Sequence, residues 1–269
     1  MANPNYKDKV VIITGASRGI GRELAHQLAT QGAWLVLAAR DLERLEGVRS
    51  ECEVLGGRAL AIQTDVREQT QCAQMVQRTI EAYQHIDVLI NNAGITMWGY
   101  FADITDPTLF ENIMRTNYMG SVFCTYYALP FLKQTRGQIV GISSLTGKTG
   151  VPTRSGYAAS KHAMVGFFDS LRIEIASSGV GVTMIHPGFV SSKVRNQAMG
   201  PDGRPLGKSP VREAEVMTVE ECARQVIGAM THRKRELVMT FRGKLGQWLK
   251  LIAPGLVDRI AMEAINTGR

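Results

Sequence analysis

Residues 9–25 read KVVIITGASRGIGRELA, and their interpretation decides the fold. A β-branched apolar run ends at Thr14, three glycines follow at Gly15, Gly19 and Gly21, and Ile20, Leu24 and Ala25 then recur at helical spacing. Strand, glycine turn and helix in that order let the backbone approach a phosphate group seated on the free N–H groups of a helix N-terminus. The spacing is G-x-x-x-G-x-G rather than the dinucleotide fingerprint G-x-G-x-x-G. The same letters also match G-x-S-x-G, a nucleophile elbow, with Ser17 as nucleophile and His186 or His232 as base. An elbow normally follows several strands that build the oxyanion loop, and only sixteen residues precede Ser17. The phosphate reading therefore ranks first.

Outward from this stretch, short apolar runs at 9–14, 33–39, 58–63, 86–91, 137–143, 180–187 and 236–240 alternate with helix-length segments. That alternation predicts a seven-stranded, mostly parallel sheet covered on both faces. No repeat or linker divides the 269 residues, and 45% apolar with 20% charged residues indicates a globular chain. Residues 189–217, rich in Gly, Pro and Ser, are expected to form a lid over the strand ends. The net charge is 31 − 24 = +7. Its basic residues are scattered apart from 232–235, which reads as a solvated turn, so nucleic acid is not an expected partner. Cys52, Cys72, Cys124 and Cys222 show no metal or disulfide spacing. No window approaches the ~20 apolar residues of a membrane span, and a cytoplasmic location is expected.

Further motifs are TDV (64–66), NNAG (91–94), Asn117, ISS (142–144), YAASK (157–161) and HPG (186–188). With TGASRGIG (14–21) they resemble the short-chain dehydrogenase/reductase family over about residues 7–240. The resemblance implies a single doubly wound Rossmann-type domain that transfers hydride between a nicotinamide cofactor and a carbonyl or alcohol carbon. It implies Tyr157 as proton donor and acceptor, Lys161 as the residue that holds the ribose and lowers the phenol pKa, Ser144 as the partner of the substrate oxygen, and Asn117 as part of a proton relay. The residue types fit: a free phenol titrates near 10, an ammonium about 4 Å away favours phenolate, and i, i+4 residues share a helix face. Cofactor contacts implied are Gly15, Ser17, Arg18, Gly19, Ile20, Gly21, Arg40, Asp65, Val66, Asn92, Ala93, Gly94, Pro187, Gly188, Val190 and Ser192.

The second strand ends Ala38-Ala39-Arg40, with Arg18 in the glycine loop. Two arginines suit a 2′-phosphate, which predicts NADP(H). Asp41, the acidic neighbour, reads as a helix N-cap. The apolar sides of the helix after Tyr157 predict a homodimer or homotetramer. Residues 242–269 form an expected amphipathic extension of the 1–241 domain, in which Leu245, Trp248, Leu249 and Ile252 share a face, Pro254-Gly255 breaks the helix, and Leu256, Val257, Ile260, Ala261, Ala264 and Ile265 suggest a second short amphipathic helix. With Met97, Trp98 and Phe189 lining the site, a lipophilic ketone (steroid-like or long-chain acyl) is the expected substrate, and weak peripheral membrane contact through the tail is expected. The alternatives are a small 3-oxoacyl or polar ketone, a non-catalytic nucleotide-sensing scaffold, or the Ser17 hydrolase.

Overall fold

The computed structural model describes residues 6–191, 198–207 and 216–267. Each expected apolar run carries a strand: β1 Val10–Thr14, β2 Trp34–Ala39, β3 Arg58–Gln63, β4 Val88–Asn91, β5 Gln138–Ile142 and β6 Gly181–His186. Two short strands not foreseen from the sequence, β7 Val190–Ser191 and β8 Met217–Thr218, pair with each other, and β9 Glu236–Val238 completes the large sheet. The sheet order is β3-β2-β1-β4-β5-β6-β9, and every pairing is parallel, not merely most of them. Helices α1 Gly19–Ala29, α2 Leu42–Val54, α3 Gln69–Tyr83, α4 Thr108–Met114, α5 Gly120–Thr135, α6 Ser155–Glu174 and α7 Val219–Thr231 supply the crossovers.

The period-two alternation of a strand explains how one sheet feeds two cores. Val11, Ile13, Leu35 and Leu37 point to the face covered by α1, α2 and α7, while Ile12, Val36 and Ala38 point to the face covered by α3, α5 and α6. Both faces are buried, which is why these strands read as continuous apolar runs. The strand order reverses between β1 and β4, so a crevice opens beyond Thr14 and Asn91, where ligands bind in open α/β sheets.

Asp41 caps α2, its carboxylate accepting from the Arg44 amide at 3.2 Å. Residues 232–235 form the expected turn, and Arg233 there donates to the carbonyls of Gly179 and Gly137. Beyond β9, α8 Phe241–Ile252 and α9 Pro254–Thr267 divide at the expected position, with Pro254 opening the second helix. Their apolar residues Phe241, Leu245, Trp248, Leu251, Ile252 and Ile260 are exposed. Among the described residues no helix is long and apolar enough to cross a membrane, and no cluster of metal-ligating side chains occurs. Of the expected lid, residues 192–197 and 208–215 lie outside the described residues, Ser192 among them.

Candidate active site

The turn after β1 is built for close backbone approach. Gly15 has φ +67°, and a Cβ on Gly21 would sit 2.4 Å from the Gly15 carbonyl oxygen and 2.6 Å from Asn92 Nδ2. No larger residue fits at Gly21 without moving the loop. Asn92 Nδ2 donates to the Thr14 and Gly15 carbonyls at 2.8 and 3.2 Å, and Thr14 Oγ1 accepts from the amides of Asn92 and Ala93, both at 3.0 Å. The β1 and β4 loops are thereby locked together across the switch point. Arg18 precedes α1 without a side-chain cap, and the first turn carries no acid, which leaves the helix N-terminus to an anion.

From this turn a cleft of about 660 Å³ runs across the sheet ends. Gly15, Ser17, Arg18 and Ile20 line one end together with Arg40, Asp65 and Val66. Asn92, Ala93 and Gly94 form its middle, and Ser144, Tyr157, Lys161, Pro187, Gly188, Phe189 and Val190 the other end. Gly19, with φ +55°, and the buried Gly21 shape the loop behind the wall. Asp41, already capping α2, is also paired with Arg44 at 3.0 Å. Asp65 is held by Arg67 at 2.6 Å; burial alone would raise its pKa, but the Arg67 hydrogen bonds and charge leave it below the ordinary value. Neither histidine that a hydrolase would need lines the cleft with Ser17. His186 donates through Nδ1 to the Ser144 carbonyl at 3.1 Å, and His232 is exposed at the end of α7.

Tyr157 and Lys161 lie in the first turns of α6. Asn117 braces them from a π-helical turn, Arg115–Met119, that joins α4 to α5. Its Oδ1 accepts from the Ile95 amide at 2.8 Å, and its Nδ2 donates to the Ile95 carbonyl and to Ser160 Oγ, both at 2.9 Å. Ser160 Oγ in turn donates to the Tyr157 carbonyl at 2.7 Å, so one buried amide fixes α6 against the loop after β4. Ser144 Oγ accepts from the Thr146 amide at 3.2 Å, which turns the chain beyond β5 toward the phenol.

The electrostatics differ from expectation. Lys161 Nζ is buried, donates to the Ile142 carbonyl at 2.8 Å and lies 5.7 Å from the Tyr157 ring centroid. Burial pulls its pKa down to about 7, because a lysine removed from water without a counter-ion gives up its charge. Burial pushes the Tyr157 phenol up, and the influences that oppose this are the charge of Arg154 and a hydrogen bond from Ser144. The charge that opposes this rise comes from Arg154, which the sequence reading missed. It stands three residues before Tyr157, on the last loop position before α6, where a solvated arginine is the ordinary expectation.

The substrate-facing residues also need correction. Met97 is wholly buried in a small cluster with Leu109 and Ile113, because a backbone bridge to Met199 turns it inward; it does not line the cleft. Trp98 contacts the Arg154 guanidinium, whose Cζ lies 4.6 Å from the indole centroid, and Phe189 contacts the same group at 5.1 Å. Met199 and Pro205, from within the expected lid segment 189–217, complete that wall.

A glycine cradle at a helix N-terminus, placed at a switch point and joined by one cleft to a tyrosine–lysine pair, defines a dinucleotide-dependent oxidoreductase site. The chain belongs to the short chain dehydrogenase family, whose model matches residues 9–201. It is 36% identical over 260 residues to a dehydrogenase/reductase SDR family protein 7-like of Dictyostelium discoideum, covering 94% of this chain and 81% of that protein. It is 38% identical over 253 residues to an 11-beta-hydroxysteroid dehydrogenase-like 4A of Arabidopsis thaliana, covering 93% and 82%. An alcohol dehydrogenase from the archaeon Thermococcus sibiricus, solved in complex with 5-hydroxy-NADP, superimposes with a TM-score of 0.74 at 26% identity, over 85% of this chain and 94% of that one.

Proposed function

We propose that this protein is an NADP(H)-dependent carbonyl reductase or alcohol dehydrogenase acting on a lipophilic substrate. The observation that carries the reading is the convergence of Ser144, Tyr157 and Lys161 on one end of a cleft whose other end is the Gly15–Gly21 cradle. The cradle accepts a pyrophosphate where a Cβ would clash, and the uncapped N-terminus of α1 favours its charge. A bound nicotinamide cofactor supplies or accepts hydride at the substrate carbon. Ser144 holds the substrate oxygen by a hydrogen bond that strengthens as negative charge develops there. Tyr157 gives its phenolic proton to that oxygen in reduction and takes it back in oxidation. Lys161, with a pKa near neutrality, holds the ribose hydroxyls and returns the proton to Tyr157, while Asn117 keeps the strand end and α6 in register.

NADP(H) over NAD(H) is supported by Arg18 and Arg40 at the adenosine end and by the engagement of Asp41 with its own helix. The bound nucleotide of the archaeal alcohol dehydrogenase agrees with this choice. A lipophilic substrate is supported by Phe189, Met199 and Pro205 in the wall and by the hydroxysteroid names of several relatives. The exposed apolar residues of α8 and α9, with Lys244 and Lys250 nearby, favour a tail (242–269) that touches membrane surfaces from the cytoplasm. Exposed Ile173 and Tyr126, on α6 and α5, favour self-association through that side of the domain.

Tyr157→Phe tests the mechanism. Turnover with NADPH and an accepted ketone should fall by a factor of about 10²–10⁴, with the affinity for NADPH within about threefold of wild type. Wild-type rates in the variant would overturn the assignment.

A further inference from the structure

His186 opens the HPG motif, and neither the cleft wall formed by Pro187 and Gly188 nor the Tyr157–Lys161 pair uses it. It ends β6, is wholly buried and donates through Nδ1 to the Ser144 carbonyl at 3.1 Å. A carbonyl can only accept, so Nδ1 carries the proton and the tautomer is fixed. Nε2 makes no hydrogen bond among the described residues; it lies 3.4 Å from Glu236 Oε1, a carboxylate oxygen paired with Lys148 at 2.8 Å. Burial holds the imidazole below its ordinary pKa, which leaves the ring neutral at pH 7. An apolar side chain would fill the same space without the cost of burying a polar ring. The bond to Ser144 is therefore what distinguishes a histidine at this position.

That bond acts on one peptide plane. The Leu145 amide donates to the Pro187 carbonyl at 3.0 Å, while the Ser144 carbonyl accepts from His186 and, at 3.0 Å, from the Gly147 amide. Two consecutive residues at the end of β6 thus hold both polar ends of the peptide that follows Ser144. On the other side, the Ser143 amide donates to the Ile185 carbonyl at 2.8 Å. With both flanking peptides anchored, Ser144 stands at φ −166° and ψ 165°, which gives its Cα–Cβ bond one direction. Its hydroxyl then meets the Tyr157 phenol at the substrate end of the cleft.

We propose that His186 is a positioning residue: through the Ser144 carbonyl it aims the Ser144 hydroxyl at Tyr157 and at the substrate oxygen. It stands behind the cleft wall rather than in it and acts through Ser144 alone. The proposal rests on the reading of Ser144 as the partner of the substrate oxygen.

The test uses the full chain with His186→Leu, His186→Asn, His186→Gln, Ser144→Ala and the double variant Ser144→Ala/His186→Leu. An asparagine amide places its nitrogen at the level of Nδ1, whereas a glutamine amide reaches the level of Nε2. The first readout is kcat for 4-nitrobenzaldehyde at saturating NADPH. It should fall about tenfold in His186→Leu and His186→Gln and stay within about threefold of wild type in His186→Asn. In the Ser144→Ala background, His186→Leu should cost less than about twofold, because the group it positions is gone. A tenfold loss in both backgrounds, or a loss in His186→Asn as large as in His186→Leu, would assign His186 to the fold alone and overturn the proposal. Wild-type kcat in Ser144→Ala would overturn the reading of Ser144 and the proposal with it. The second readout needs no turnover: in ¹³C NMR of ring-labelled tyrosine, the Tyr157 Cζ resonance reports the hydrogen bond between Ser144 and the phenol. His186→Leu should move it in the same direction as Ser144→Ala, and the double variant should move it no further. If wild type does not turn over 4-nitrobenzaldehyde, the reading of Tyr157 as the proton-transfer group fails and this resonance decides the proposal: an effect of His186→Leu that persists in the Ser144→Ala background overturns it, and its disappearance there sustains it. His186→Gln takes the place of His186→Leu in both measurements if the leucine variant does not fold.

Discussion

Replacing Lys161 by methionine should make the cofactor-free protein more stable while removing its activity. Lys161 is 3% exposed, and burial lowers its pKa from 10.5 to about 7. In the unfolded chain the amine titrates near its ordinary value, so between about pH 7 and pH 10.5 the unfolded state holds a proton that the native state lacks. Stability rises with pH wherever the unfolded state binds more protons. The cost of burying the amine is therefore complete below pH 7, shrinks through the window and is gone above about pH 10.5. At about 1.4 kcal/mol per unit, the full window amounts to roughly 4–5 kcal/mol. The Ile142 carbonyl, which accepts from Nζ at 2.8 Å, offsets part of this cost by favouring the ammonium. Methionine preserves the volume but leaves that carbonyl without its donor, at about 1–3 kcal/mol. The net expectation is a gain of about 1–3 kcal/mol for Lys161→Met at pH 7.5, measured by urea denaturation followed by circular dichroism. The gap should close by roughly 2.5 kcal/mol on moving to pH 9.5, and groups that titrate alike in both proteins cancel in the difference. A gap that stays constant or widens with pH would refute the reasoning.

Gly21→Ala places a Cβ 2.4 Å from the Gly15 carbonyl oxygen, and it should weaken NADPH binding more than tenfold and lower the melting temperature by several degrees, checked by fluorescence titration and calorimetry. Wild-type protein should bind NADPH at least tenfold more tightly than NADH, and Arg40→Ala should narrow that ratio; a tighter Kd for NADH would overturn the cofactor preference. Truncation before Lys244 should abolish binding to anionic phosphatidylserine vesicles while leaving NADPH affinity intact; vesicle binding that survives truncation would place the contact elsewhere.

Much of the fold could be read directly because its signals are local. A strand buried on both faces must be apolar at every position, and VVII, LVLAA and VLI announce themselves without knowledge of their neighbours. The glycine turn is equally local, since a left-handed Gly15 and a close approach at Gly21 demand glycine whatever lies across the cleft. The failures are of the opposite kind. Met97 and Trp98 follow NNAG and look like neighbours at the mouth of the site, but a bridge to Met199 sends the first into a core and leaves the second against Arg154. Those partners lie 102 and 56 positions along the chain (199 − 97 and 154 − 98), and no periodicity records such pairings. The strands β7 and β8 have two residues each, too short for alternation to be visible.

The i, i+4 spacing of Tyr157 and Lys161 likewise gives adjacency but not charge. Spacing alone puts an ammonium beside a phenol, and from that follows a lowered phenol pKa. Burial works against that conclusion, because the amine that would do the lowering is itself easily discharged. The two groups near Tyr157 differ in their effect: the charge of Arg154 opposes the rise that burial imposes on the phenol, and Lys161, poised near neutrality, supplies a proton that can leave and return. A site with the lysine alone would have a phenol whose environment changes with the protonation of its only neighbour. Under this reading, Arg154→Met should steepen the pH dependence of kcat around pH 7, and an unaltered profile would refute an influence of Arg154 on the phenol.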